Sequence, residues 1–276
     1  MTKIVTTVAE LRAALAPIRP GRIGMVPTMG ALHAGHVSLV TEARKQAGAV
    51  LVSIFVNPAQ FAPNEDFDAY PRTLDADLAK LGDAADIVFT PTAREMYPDG
   101  HATTISVGGP SAGLETDFRP HFFTGVATIV AKLLIAALPD IALFGEKDYQ
   151  QLLVVKRLVR DLALPVQIAG VPTMREADGL ALSSRNAYLS DSERKVAARL
   201  NAILKDAITK ARTTGDLRAA EAQAIEALRK AGFDHVDYVA IRDAESLDHV
   251  AALDRPARIL AAAKIGKTRL IDNMAI

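Results

Sequence analysis

Apolar residues along this chain follow two different periods, and the switches between them mark its elements. The run AVLVSIFV (49–56) is apolar and largely β-branched, as expected of a strand buried on both faces of a sheet. Just before it, Val37, Leu39, Val40 and Ala43 recur at helical spacing between Gly35 and Gln46. Thr7-Val8-Ala9-Glu10 is a capping box, and it opens a predicted helix over 8–17 that carries Val8, Leu11 and Leu15. The same reading predicts strands over 22–27, 86–90, 140–145 and 166–171, with helices near 73–82, 125–137 and 149–162 and a polar loop at 57–70. Strands that alternate with helices in short units predict an α/β fold with a parallel, doubly wound sheet.

After residue 172 the texture changes. The loop PTMREADGLALSSRN precedes two helical stretches, 190–212 and 216–231, and then three strand candidates, 235–241, 258–264 and 268–273. Here strands no longer alternate with helices. The expectation is a first domain over 1–172 and a smaller α+β C-terminal domain over 173–276.

Composition narrows the classes. With 276 residues, half of them hydrophobic, the chain can bury a large core. Lys plus Arg and Asp plus Glu are both 32, and this neutral balance argues against a dedicated nucleic-acid binder. The absence of cysteine excludes disulfides, thiolate zinc sites and iron–sulfur clusters. No apolar run reaches the ~18 residues of a membrane span, and the first residues lack a signal-peptide pattern. The expectation is a soluble, cytoplasmic protein.

The usual phosphate cradles are missing. GGPSAG (108–113) has the wrong spacing for a dinucleotide fingerprint. Gly266-Lys267-Thr268 ends like a P-loop, but alanine stands at 261 and a strand, not a helix, follows.

Four polar clusters carry the candidate chemistry. In PTMGALHAGH (27–36) a buried strand gives way to a helix, with Gly30 and Gly35 allowing close backbone approach. His33 and His36, three residues apart, can reach the same side of a helix start whose N–H groups and dipole suit a phosphate. There is no HExxH motif and no third ligand nearby, so a metal pair is not expected. In FGEKDYQQ (144–151), Lys147 offers a positive charge at a second strand-to-helix junction, while Asp148-x-x-Gln151 also fits a cap for the next helix. In GLALSSRN (179–186), two serines and Arg185 suit phosphate oxygens. In SIFVNPAQF, Asn57 and Gln60 offer uncharged amides to a small polar substrate, though an Asn-Pro turn with an exposed glutamine fits equally well.

Together with YPRTLDAD and the late RLIDN, these stretches resemble the pantothenate synthetase (pantoate–β-alanine ligase) family, of the nucleotidylyltransferases with an HxGH motif. The resemblance runs from Val26 to Asn273. It implies a Rossmann-like first domain, a smaller mobile C-terminal domain and a homodimer. The implied substrates are (R)-pantoate, β-alanine and ATP with Mg2+, and a pantoyl adenylate forms on the enzyme. It assigns catalysis to His36, His33, Lys147 and Arg185. ATP falls to Met29, Gly30, Leu32, His33, Gly35 and His36, to Gly145, Glu146, Lys147 and Asp148, and to Met174, Leu182, Ser183, Ser184 and Arg185. Pantoate and β-alanine fall to Gln60, Gln151 and Asn57. No residue is assigned to a resident metal, and no nucleic acid or membrane partner is implied. Tyr70, Arg72, Asp77 and Arg119 match positions around the family's cleft.

One stretch departs from the family. It commonly reads Arg-Pro-Gly-His-Phe, whereas this chain reads RPHFFTGV (119–126), which places His121 one position early and Phe122 where the histidine usually stands. A competing reading is an adenylyltransferase of the same superfamily, which would keep AMP in its product. The amides at 57 and 60, in place of a basic cluster, favour the ligase.

Overall fold

The computed structural model describes residues 2–63 and 65–276, so residue 64 of the predicted polar loop lies outside it. In chain order the elements are β1 (Lys3–Val5), α1 (Val8–Leu15), β2 (Ile23–Thr28), α2 (Ala34–Gln46), β3 (Ala49–Ile54), α3 (Leu74–Leu81), β4 (Ile87–Phe89), α4 (Ala93–Met96), α5 (Glu115–Phe118), α6 (Phe122–Ala137), β5 (Ile141–Gly145), α7 (Tyr149–Asp161) and β6 (Gln167–Val171). The rest of the chain forms α8 (Asp191–Ala197), α9 (Arg199–Thr214), α10 (Leu217–Ala231), β7 (His235–Asp243), β8 (Ala257–Ile265) and β9 (Thr268–Ala275).

The chain divides into two compact units. One runs to Glu146 and resumes over Val154–Pro172; the other comprises Lys147–Leu153 and Thr173–Ile276. The first turn of α7 thus groups with the second unit.

The first unit is the expected α/β fold: a six-stranded sheet in the order β1-β4-β3-β2-β5-β6, with all pairs parallel. The chain moves outward from β2 through β3 to β4, then returns to place β5 on the other side of β2. Adjacent strands that head to opposite sides leave a crevice at their carboxyl ends, where open α/β sheets bind ligands. The β-branched run of β3 lies in the middle, with Val50, Leu51 and Val52 buried. Val26, Leu32, Leu39, Val40, Val88, Ile141 and Leu143 join it in one core.

The ends of these helices are chemically defined. The predicted capping box of α1 is present, with Thr7 Oγ1 accepting from Glu10 N–H and the Glu10 carboxylate accepting from Thr7 N–H. α6 begins at Phe122, three residues before the predicted start, and is apolar almost all round. Its last turn ends at Leu138 in left-handed backbone, and Arg19 donates to the carbonyls of Ala137 and Leu138, a cation placed at the negative end of a helix dipole.

The second unit is an antiparallel sheet β7-β8-β9 with helices against it. Leu200, Leu204 and Ala211 of α9, Leu217, Ala224 and Leu228 of α10, and Val239, Ile259, Ala261 and Leu270 of the sheet form its core. The predicted helix 190–212 is two helices, α8 and α9, which part at Ala198. No glycine or proline marks that break, so the pattern of apolar residues could not reveal it. β1, α4 and α5 were not predicted, because three or four residues are too short to establish a period.

Candidate functional site

β2 delivers its chain to a turn in which two successive residues adopt left-handed backbone, Gly30 (φ 86°) and Ala31 (φ 49°). Glycine takes this region at no steric cost, whereas Ala31 carries a Cβ and is strained there. The buried carboxylate of Asp77, on α3, holds the turn: Oδ2 accepts from Ala31 N–H at 2.9 Å and Oδ1 from Leu32 N–H at 2.7 Å. Two residues past Leu78, Lys80 donates to the Leu32 carbonyl at 2.6 Å. One helix therefore grips both polar faces of the peptide chain just before His33.

His33 is itself the N-cap of α2. Its Nδ1 accepts from Gly35 N–H at 3.2 Å, and Nδ1 of His36 accepts from His33 N–H at 3.3 Å. This is a capping box built from two imidazoles. Each acceptor faces a backbone donor, so neither Nδ1 carries a hydrogen, and each neutral ring holds its proton on Nε2. The rings lie 4.1 Å apart, centre to centre, and both are partly buried. The geometry yields two donors of fixed tautomer at the carboxyl end of the central strand. The N–H of Gly35, expected for a phosphate, is donated to His33 instead. Gly145 ends β5, the parallel neighbour of β2, so Gly145 and Glu146 leave the sheet at the same edge as the histidine turn.

The amide cluster follows β3. Asn57 is buried and caps a short 3₁₀ turn, Pro58–Gln60. Its Oδ1 accepts from Ala59 N–H at 3.3 Å and from the Tyr97 hydroxyl at 2.7 Å, while its Nδ2 donates to the Gly125 carbonyl at 3.2 Å and to Gln60 Oε1 at 2.8 Å. The turn sits so close to α6 that a Cβ on Gly125 would lie 2.1 Å from the Ala59 carbonyl oxygen. Burial pushes the Tyr97 phenol up to about 12. Tyr97 also borders a cavity of about 460 Å³ lined with Pro58, Ala59, Ala93, Arg94 and Asp99.

Arg119 closes this cluster from the α5 side. It pairs with both oxygens of Glu65, at 2.6 and 2.7 Å, donates to the Gln60 carbonyl at 3.1 Å and lies 3.9 Å above the Phe122 ring. Phe122 thus has a packing role under the guanidinium, and His121 is exposed at the start of α6 without a capping bond from its side chain. Arg72 is spent on carbonyls of its own loop, those of Phe67, Asp68 and Tyr70.

In the second unit, Lys147 has a mostly buried side chain, with its Nζ 3.7 Å from the Asp148 carboxylate, and its carbonyl accepts from Asn273 Nδ2 at 2.8 Å. Gln151 is partly buried and its neighbour Gln150 fully so. Asp272, buried in β9, pairs with both terminal nitrogens of Arg175 at 2.7 and 2.8 Å. Arg175 also bridges Ala181 in antiparallel fashion, and Leu182 N–H donates to the carbonyl of exposed Met174 at 3.0 Å. This closed loop leads into Ser183, whose hydroxyl accepts from Arg185 N–H at 3.3 Å, and into the 3₁₀ turn Ser184–Tyr188. Adjacent residues of β9 thus hold both the Lys147 segment and the loop that carries Ser183, Ser184 and Arg185.

The first unit therefore brings together His33, His36 and the turn at Met29–Leu32, and separately Asn57 and Gln60. The second brings Lys147 and the Met174–Arg185 loop onto β9. Sequence reasoning gave no role to Tyr97, Lys80, Asp272 or Asn273. Of these, only Asp272 and Asn273 stood in a stretch singled out beforehand, RLIDN.

Comparison with known proteins points to one family. The model of the pantoate-beta-alanine ligase family fits residues 3–275. Pantothenate synthetase of Mesorhizobium japonicum is 56% identical over 99% of this chain and 98% of its own length. That of Nitrobacter winogradskyi is 54% identical, again over 99% and 98%. Among solved structures, pantothenate synthetase from Thermus thermophilus superposes with a TM-score of 0.90 at 48% identity, covering 99% of both chains. A pantoate-beta-alanine ligase from Francisella tularensis, complexed with beta-gamma ATP and beta-alanine, gives 0.84 at 35% identity over 99% of this chain and 97% of that one. By sequence and by fold, the chain belongs to the pantoate–β-alanine ligase family.

Proposed function

We propose that this chain condenses (R)-pantoate with β-alanine at the expense of ATP, giving pantothenate, AMP and pyrophosphate through a pantoyl adenylate. The observation that carries the reading is the histidine capping box. It presents two Nε2–H donors of fixed tautomer at the switch point of the sheet, within a chain matched to the ligase family along its whole length. The relative from Francisella tularensis, described as complexed with beta-gamma ATP and beta-alanine, supports two of the three substrates.

The chemistry divides the labour. A carboxylate with a pKa near ~4 is already ionised at neutral pH, so the first step needs no base. One pantoate oxygen attacks the α-phosphorus, the bond to the bridging oxygen breaks, and pyrophosphate departs with the electron pair. His33 and His36 donate to the phosphate oxygens as charge grows there. Lys147 and Arg185 add positive charge, Arg185 as a planar fork suited to two phosphate oxygens. The turn at Met29 to Gly35, Gly145 to Asp148, Met174 and Leu182 to Arg185 take the nucleotide. Gln60 and Gln151 hold pantoate and β-alanine, while Asn57, expected beside them, has its amide spent on Ala59, Tyr97, Gly125 and Gln60 and serves by orienting Gln60.

In the second step the β-alanine nitrogen attacks the acyl carbon and AMP leaves. An alkyl ammonium has a pKa of ~10 and must lose a proton first. Among the described residues no group of three or more His, Asp or Glu could hold a metal ion. Mg2+ would enter with the nucleotide as MgATP, where it would offset charge on the phosphates. We further infer a mobile lid from the C-terminal unit, a homodimer and a cytoplasmic location. No helix among the described residues is long and apolar enough to cross a membrane.

The test is isotope exchange. Labelled pyrophosphate should enter ATP when pantoate is present and β-alanine absent. Normal synthesis of pantothenate without such exchange would sink the adenylate reading.

A further inference from the structure

We propose that Tyr97 is a positioning residue for this reaction: acting through Asn57, its hydroxyl reinforces the orientation in which one end of the Gln60 amide faces the ligand. The inference rests on the reading of Gln60 as a substrate-binding residue.

The polarity of the network follows from its backbone ends. The Ala59 N–H can only donate, so the Asn57 atom it meets at 3.3 Å is Oδ1. The Gly125 carbonyl can only accept, so the atom facing it at 3.2 Å is Nδ2. Both ends of the Asn57 amide are therefore assigned without reference to any side chain. Tyr97, 2.7 Å from an oxygen that only accepts, must donate its O–H. Gln60, 2.8 Å from an NH2 group that only donates, must offer Oε1. Gln60 Nε2, two donors and no acceptor, is the end that remains for a ligand. Gln60 then recognises an acceptor, as a carboxylate or a hydroxyl oxygen is.

Among the described residues, Tyr97 is the one side-chain anchor of this relay outside the 57–60 turn. Without it, Asn57 Oδ1 keeps the bond from Ala59 N–H and Nδ2 the bond to the Gly125 carbonyl, so the backbone still favours the same orientation but holds it only through two long bonds of 3.3 and 3.2 Å. A less firmly held Asn57 amide visits the rotated state more often, and in that state Oδ1 faces Gln60, which answers by turning its own NH2 inward and its oxygen outward. An oxygen there repels a carboxylate. The phenol suits the task because burial pushes its pKa up to about 12, so it stays a donor at any pH at which the protein works. Arg119 holds the backbone carbonyl of Gln60 at 3.1 Å, which leaves the side chain as the variable part.

The experiment uses the full chain and three variants, Tyr97→Phe, Gln60→Ala and the double variant. Tyr97→Phe should raise KM for pantoate about 2- to 10-fold, the range of one net hydrogen bond, with kcat nearly unchanged. That is the pattern of lost uniform binding. In the Gln60→Ala background the same change should add nothing, because its effect runs through Gln60. Additive effects, or an unchanged KM in Tyr97→Phe where Gln60→Ala raises it, would overturn the role of Tyr97. The side-chain amide resonances of Gln60, recorded by 15N NMR, report on the amide independently of catalysis. They should shift or broaden in Tyr97→Phe, and identical resonances in the two proteins would end the proposal. Should Gln60→Ala leave KM for pantoate and β-alanine unaltered, the ligand assignment of Gln60 falls, while the resonances still decide whether Tyr97 controls its amide.

Discussion

Asp77 and Ala31 are bound at 2.9 Å, carboxylate to backbone N–H, and the second of them sits in left-handed backbone that alanine does not favour. The carboxylate, itself fully buried, accepts a second N–H from Leu32 and the Thr73 hydroxyl at 3.3 Å. Strain in the turn is thus held by a helix distant in sequence, and the turn in its turn sets where α2 and its two histidines begin.

Asp77→Asn tests this hold. The new NH2 group faces a backbone donor, so one buried N–H loses its acceptor, at a cost of about 1–3 kcal/mol. For a chain of this size that lowers Tm by several degrees. Scanning calorimetry should show the drop, and kcat/KM for ATP should fall with it. An unchanged Tm would mean that the turn keeps its shape without the carboxylate.

His36→Asn separates structure from chemistry. Asparagine Oδ1 can take the place of Nδ1 in the capping box, but nothing replaces the outer N–H. Single-turnover adenylation should slow by ~10²-fold or more, the scale of one lost transition-state donor, while thermal stability stays close to that of the parent. His36→Ala should lose both the donor and part of the cap, which is worth ~1 kcal/mol.

Asn273→Ala removes the donor to the Lys147 carbonyl and the acceptor for Arg258. Equilibrium binding of ATP, measured by titration calorimetry, should weaken by about tenfold, equivalent to ~1.4 kcal/mol. Undiminished affinity would show that the Lys147 segment is seated by other contacts.

His121→Ala should leave kcat/KM for pantoate within a few-fold of the parent, because the ring is exposed and caps nothing. Phe122→Ala should cost more, since it strips the aromatic face from beneath Arg119. A hundredfold loss in His121→Ala, about 2.7 kcal/mol of transition-state stabilisation, would return the histidine to the reaction.

Alkaline titration followed by tyrosinate absorbance should show a phenol that ionises near pH 12 in the parent and is missing in Tyr97→Phe. A phenol has an ordinary pKa of ~10, so the native state holds this proton more tightly than the unfolded chain does. The associated stability is whole below pH ~10 and is lost as pH rises toward 12. Tyr97→Phe should therefore denature less steeply with alkali across that window.

The sheet could be read from the chain because its strands are dense runs such as AVLVSIFV, which no helix of ordinary amphipathic pattern would carry. Helix starts were legible where a side chain caps them locally, as Thr7 does with Glu10. The split between α8 and α9 was not, since Ala198 differs in nothing but its place in the packing. For the site, the chain shows which short segments hold polar groups, but not what fixes them. Asp77 lies 46 residues from Ala31, and Tyr97 lies 40 from Asn57. Contacts of that span leave no period, and a tyrosine within MYPDG looks like any loop aromatic. The histidine pair showed its spacing in the sequence, yet its use as a cap did not follow from it, because imidazole is an unusual N-cap.

The tie between Asn273 and Lys147 spans 126 residues, and that between Asp272 and Arg175 spans 97. During synthesis at ~5–20 residues per second, the Lys147 segment therefore leaves the ribosome roughly 6–25 seconds before its partner. All six strands of the parallel sheet precede residue 172 and can pair in that interval. The nascent chain thus completes its sheet while two of its cationic segments still lack their seats on β9. On the proposed assignment, the segments meant for the nucleotide's phosphates take their places only after β9 has been made, well after the sheet that carries the histidines.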